Sequence, residues 1–77
     1  MEVITRTVDA RGQSCPGPLV TLAKALKDAS RGDLLELLAT DPGVEPDMKA
    51  WSSRTGNELL GIDREGDVFH VFLRRQG

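Results

Sequence analysis

The 77 residues carry twelve acidic against ten basic side chains, a net charge of −2, with 39% apolar and 29% charged residues. This is the composition of one ordinary globular domain, which at this length buries only about 60–65% of the surface its unfolded chain exposes. Neither a basic face nor stacking aromatics beyond Trp51, Phe69 and Phe72 are available for direct nucleic-acid binding. A single cysteine and a single histidine exclude a disulfide within these residues and a four-ligand Cys/His zinc site.

Val3 to Val8 reads as a first strand, rich in β-branched residues. The start, Met1-Glu2-Val3-Ile4-Thr5-Arg6, lacks the basic n-region and apolar h-region of a signal peptide. No apolar stretch approaches the about 20 residues that span a bilayer. The expected setting is therefore the cytoplasm, with no membrane partner. Asp9 to Ser14, with Gly12, reads as a loop.

Pro18 to Ala29 reads as a helix. Leu19, Leu22, Ala23 and Leu26 fall at i, i+3, i+4 and i+7 and share one face, with Lys24, Lys27 and Asp28 opposite. Gly32 stands near the expected left-handed cap. Asp33 to Thr40 contains Leu34, Leu35, Leu37, Leu38 and Ala39. That run predicts an interior strand covered on both sides or nearly so. Asp41-Pro42-Gly43 breaks the chain. A second helix is expected over Val44 to Arg54, with Val44, Met48, Trp51 and Thr55 as its inner stripe and Pro46 in its first turn. Gly56-Asn57 closes it. Glu58 to Arg64 and Val68 to Arg74 read as strands joined at Glu65-Gly66-Asp67. In the last strand Phe69, Val71 and Leu73 point one way, and Val68, His70 and Phe72 the other.

The order β-α-β-α-β-β predicts an α+β, two-layer sandwich: a four-stranded mixed sheet with both helices on one face.

Cys15-Pro16-Gly17-Pro18 joins the loop to the first helix, which puts Cys15 near the N-cap. Pro16 and Pro18 are expected at the first and third helical positions, where the N–H groups they lack have no intrahelical partner. The Gly17 and Leu19 amides remain as donors for a sulfur, and the helix dipole favours the thiolate. Both lower the thiol pKa from about 8.5, and a value of about 7 makes the thiolate about half the population at neutral pH. The alternative is a small buried hydrophobe, but Gln13, Ser14 and the prolines give Cys15 no apolar surroundings.

No second cysteine permits C-x-x-C chemistry. A Cys/His dyad needs His70, which the strand alternation puts on the face away from the helices. A thiol with neither base nor resolving partner suits accepting a group and handing it on.

Asp9-Ala10-Arg11-Gly12-Gln13-Ser14-Cys15-Pro16-Gly17-Pro18 is similar to the D-x-x-G-x-x-C-P-x-P signature of the TusA-like (SirA/YedF-type) sulfur carriers. Thr40-Asp41-Pro42, then Asp47-Met48 and Trp51, resembles the family's second-helix region, and Gly56 precedes the hairpin. The resemblance covers nearly the whole chain, 1–77, as one carrier domain. It implies that Cys15 takes sulfane sulfur as a persulfide from a cysteine desulfurase or rhodanese-type donor. The sulfur then goes to an acceptor protein's cysteine, with no cofactor or metal in the carrier. It also implies that Asp9 and Gly12 shape the loop, and that Pro16, Gly17 and Pro18 set the helix start. Relatives feed tRNA thiolation, molybdenum-cofactor assembly, sulfur oxidation or selenium metabolism. Two other readings compete: a non-catalytic binding or regulatory module using the half-exposed sheet face, with Val68 and Phe72 as contacts, and a redox-sensing thiol.

Overall fold

Alternation along the strands decides which residues meet the helices. The structure, a computed structural model, describes residues 3–14 and 16–76. Its elements run β1 (Arg6–Ala10), α1 (Gly17–Lys27), β2 (Leu34–Ala39), α2 (Val44–Thr55), β3 (Glu58–Glu65) and β4 (Val68–Arg74). The sheet order is β1-β2-β4-β3. β1 lies parallel to β2, and β4 is antiparallel to both of its neighbours. Val8 and Ala10, then Leu35, Leu37 and Ala39, then Phe69, Val71 and Leu73 form rows across one face. Leu22 and Leu26 of α1 and Val44 and Met48 of α2 close over those rows in one buried cluster. Both helices thus cover the same face, and the α+β two-layer sandwich is the observed fold. Among the described residues nothing forms a second layer on the other face.

β3 keeps its apolar residues inward only by breaking its own alternation. Leu59 pairs with Leu73 and Gly61 with Phe72, so Leu60 is an extra residue in a β-bulge. The bulge resets the parity, and both Leu59 and Ile62 pack against the core. Glu65 pairs with Val68 around a two-residue turn in which Gly66 has φ 60° and Asp67 does not take positive φ. Glycine is needed at that first turn position.

Several boundaries differ from the sequence reading. β1 is Arg6–Ala10 rather than Val3–Val8. β2 starts at Leu34, and the last backbone bond before the ladder is Thr5 N–H to Leu34 O at 2.7 Å. Val3 and Ile4 therefore have β propensity but no strand to pair with, while Asp9 and Ala10, read as loop, pair with Leu38 and Ala39. α1 ends at Lys27, and the N–H groups of Asp28 and Ala29 tighten onto the carbonyls of Ala25 and Leu26. Gly32 is left-handed, at φ 90°, but it belongs to the turn after the helix rather than capping it. β2 is interior, yet only its helix-side residues lie under a layer; Glu36 and Leu38 are half-buried on the open face. Thr55 is exposed rather than part of the inner stripe, and its hydroxyl donates to Trp51 O at 3.0 Å. Gly56 closes α2 in the left-handed conformation, φ 79°.

Candidate functional site

The loop between β1 and α1 is tied down at each step. Asp9, next to last in β1, accepts three hydrogen bonds from Arg11. Its Oδ1 takes the backbone N–H at 3.0 Å and Nε at 2.9 Å, and its Oδ2 takes Nη2 at 2.8 Å. The side-chain bonds from Arg11, then its backbone N–H, hold the Asp9 carboxyl down to about 2, although the pair is open to solvent. The same pairing raises the Arg11 guanidinium. Chain reversal follows at once. Gln13 N–H donates to Ala10 O at 3.2 Å, with Gly12 at φ 82° in the third position of the turn, where a side chain is disfavoured. The Gly12 N–H donates to Thr40 Oγ1 at 2.9 Å, fastening the loop to the end of β2.

Gln13 then lies against the start of α1. Thr21 Oγ1, one turn into the helix, donates to Gln13 Oε1 at 2.9 Å. Gly17 makes this approach possible: a Cβ there would fall 3.0 Å from Gln13 Oε1 and 3.1 Å from Gln13 Cβ. Pro16 is the N-cap, Gly17 the first helical residue and Pro18 the second, one register earlier than the sequence reading placed the prolines. Pro18 is buried against the core layer while Pro16 is exposed. The Gly17 N–H donates to Ser14 O at 2.8 Å, so this amide is already committed and is not a donor held in reserve for a sulfur. The first α-helical bond runs from Val20 N–H to Pro16 O at 3.1 Å. Cys15 lies outside the described residues.

Asp9 and Gly12 thus lie at the end of β1 and in the turn after it, and Pro16, Gly17 and Pro18 lie at the start of α1. Gln13, Thr21 and Thr40 complete the same scaffold; Thr21 was not singled out in the sequence, and Gln13 and Thr40 were quoted there without these roles. Only the partner spacing Asp9-x-Arg11 is a signal legible there.

His70 is on the open face, as the alternation predicts. Its Nδ1 lies 2.8 Å from Glu36 Oε2 and its Nε2 3.6 Å from Glu65 Oε1. Glu36 Oε1 also accepts from Thr7 Oγ1 at 3.3 Å. The ring is therefore engaged by carboxylates on the face away from α1. Among the described residues no group of three or more His, Asp or Glu side chains is arranged to hold a metal ion. Among the described residues no helix is long and apolar enough to cross a membrane.

The loop and helix start have counterparts among known proteins. The family model for Sulfurtransferase TusA matches residues 6–75. A sulfur carrier protein TusA from Allochromatium vinosum is 40% identical over 68 residues, covering 88% of this chain and 90% of its own length. A Bacillus subtilis protein, YrkF, is 44% identical over 73 residues, or 95% of this chain; the chain spans only 40% of that relative's length. The crystal structure of a SirA-like protein from Desulfitobacterium hafniense superposes with a TM-score of 0.79 at 22% identity, over 95% of this chain and all of the other, which establishes the shared fold. The matched span takes in all four strands, both helices and the whole tied loop, and on that ground the chain belongs to the TusA sulfurtransferase family.

Proposed function

We propose that residues 1–77 form one sulfur-carrier domain that holds sulfane sulfur on Cys15 and delivers it to another protein. One observation supports this reading: the chain's sole cysteine stands inside the segment Asp9-x-x-Gly12-x-x-Cys15-Pro16-x-Pro18, which resembles the signature of the sulfur carriers in the family to which the chain belongs. In the first step the Cys15 thiolate attacks the outer sulfur of a donor protein's persulfide. The donor's S–S bond breaks, its thiolate leaves, and Cys15 becomes a persulfide. In the second step an acceptor protein's thiolate attacks that outer sulfur, and the Cys15 thiolate leaves. Each step breaks one S–S bond and forms one, so no external oxidant or reductant is needed.

A leaving thiolate is better the lower its pKa. The Gly17 amide bonds Ser14 O, so the reading rests on the dipole of α1 rather than on that donor. Asp9 and Gly12 hold the loop, Pro16 and Pro18 set the helix start, and Gly17 lets Gln13 approach it. The donor is a cysteine desulfurase or rhodanese-type protein, and the relay runs in the cytoplasm, where thiols stay reduced. Thiolated tRNA, the molybdenum cofactor and oxidised sulfur are the candidate end products.

Incubation with a cysteine desulfurase, cysteine and pyridoxal phosphate, followed by intact-mass measurement, tests the reading. The expected result is an adduct of one sulfur atom that thiols remove and that Cys15→Ser abolishes. No adduct on the wild-type protein, or an equal one on Cys15→Ser, would overturn it.

A further inference from the structure

The open face of the sheet carries a trough that the carrier chemistry does not use. At its centre Gly61 pairs with Phe72, and nothing lies within 4 Å of where a Gly61 side chain would begin. The bulge turns Leu60 out to 43% exposure beside this gap. Leu34, Leu60, Gly61, Asp63 and Phe72 line a hollow of about 380 Å³. A second hollow of about 330 Å³ shares Asp63 and Phe72 with it and continues to Arg64, Glu65 and His70. The floor is apolar and the rim is mainly acidic. Among the described residues the Asp63 carboxylate makes no ion pair and no side-chain hydrogen bond. The Glu65 side chain is 87% exposed, and among the described residues its carboxylate approaches only His70, at 3.6 Å. Arg64 turns its side chain to the face of Phe69, where Nε donates to Gly66 O at 3.0 Å and the guanidinium lies over the ring, and the His70 ring is engaged by Glu36.

We infer that this trough docks a basic, apolar segment of a partner protein. An aliphatic side chain would fill the gap over Gly61 and Phe72, and a lysine or arginine beside it would meet Asp63 and Glu65. Charge complementarity selects this occupant. A second copy of the same face would set unpaired carboxylates against one another, and an anionic lipid surface would be repelled. The trough lies mainly on β3 and β4 and reaches Leu34 at the start of β2, so it spreads from the sheet edge opposite β1 and the loop that follows it. Three strand spacings, about 14 Å, separate the two edges. A partner held here leaves the Arg11–Ser14 loop uncovered for donor and acceptor.

The test is an NMR titration of the isotope-labelled chain with a synthetic peptide alternating lysine and leucine, and with its glutamate–leucine counterpart. The basic peptide is expected to give saturable shifts at Leu34, Gly61, Asp63, Glu65 and Phe72. The double variant Asp63→Lys, Glu65→Lys should weaken it about tenfold. Gly61→Leu, which fills open space without backbone strain, should weaken it similarly while the remaining spectrum stays that of the folded chain. The inference is overturned by an absence of saturable shifts, by shifts centred on α1 or α2, by equal binding of the acidic peptide, or by unchanged affinity in both variants. Broadening of the trough signals with protein concentration alone would place a second copy there and overturn it as well.

Discussion

Gly17→Ala probes the contact on which the loop's position depends. A Cβ at this residue lands 3.0 Å from Gln13 Oε1 and 3.1 Å from Gln13 Cβ, where ordinary contacts begin near 3.4 Å. Gln13 must withdraw by a few tenths of an ångström, and its 2.9 Å bond from Thr21 weakens or breaks. A lost hydrogen bond of this kind costs about 0.5–1.5 kcal/mol, towards the lower end because the pair is exposed. Alanine in place of glycine gains about 0.5–1 kcal/mol in a helix interior and less at a first helical position. The two effects nearly cancel, and the net change should lie within about 1 kcal/mol, or at most about 8 °C in melting temperature. Stability alone therefore cannot expose the contact, but a double-mutant cycle can. In a Gln13→Gly background neither the clash nor the bond exists, and the same alanine should stabilise. The expected coupling is about 1 kcal/mol by urea unfolding. Because Gln13 and Ser14 lead directly into Cys15, Gly17→Ala should also slow persulfide loading several-fold, read by intact mass over time. Zero coupling together with unchanged loading would refute the reasoning: Gln13 would then not be what holds the loop against the helix.

The other predictions concern charge, core and turn. Asp9 should titrate at about 2 by carboxyl NMR, and Arg11→Ala should return it towards 3.8. Because its folded pKa lies below the unfolded one, the pair stabilises the fold above pH 3.8, and that contribution disappears as pH falls towards 2. Leu37→Ala removes a fully buried side chain ranged between Val8 and Val71. It should cost about 3–5 kcal/mol in urea unfolding, against a total of about 4–12 kcal/mol for a chain of this size. Gly56→Ala forces a side chain into the left-handed cap of α2 at φ 79° and should cost about 1–2 kcal/mol by thermal unfolding.

The sequence displayed the fold wherever alternation or helical spacing had one reading. Phe69, Val71 and Leu73 declared the core side of β4, and Leu22 and Leu26 the core side of α1, because side-chain direction follows from backbone period alone. It failed where the deciding partner lies elsewhere in the chain. Val3 and Ile4 look like strand, but β2 begins too late to pair with them. Asp9 and Ala10 look like loop, but Leu38 and Ala39 take them into the sheet. The site divides in the same way. The sole cysteine, the glycine and the two prolines are conspicuous by residue type. Gln13, Thr21 and Thr40 are ordinary polar residues whose roles exist only once β2 and α1 have been folded against the loop.

The bulge at Leu60 shows how one local irregularity serves both faces of the sheet. Strict alternation from Leu59 would turn Gly61 and Asp63 towards the helices, and Leu60 and Ile62 outward. With one residue left unpaired, Leu59 and Ile62 both reach the core, while Gly61 and Asp63 turn to the open side opposite Phe72 and His70. The inward gain is apolar burial on an edge strand. The outward consequence is a gap with no side chain over Phe72 and an unpaired carboxylate beside it. Deleting Leu60, the unpaired residue, would leave Leu59, Gly61, Ile62 and Asp63 facing as they do now and remove only one wall of the trough, whereas Gly61→Leu fills the gap itself without altering any residue that faces the core. That difference is why the glycine substitution separates recognition at this face from the stability of the fold.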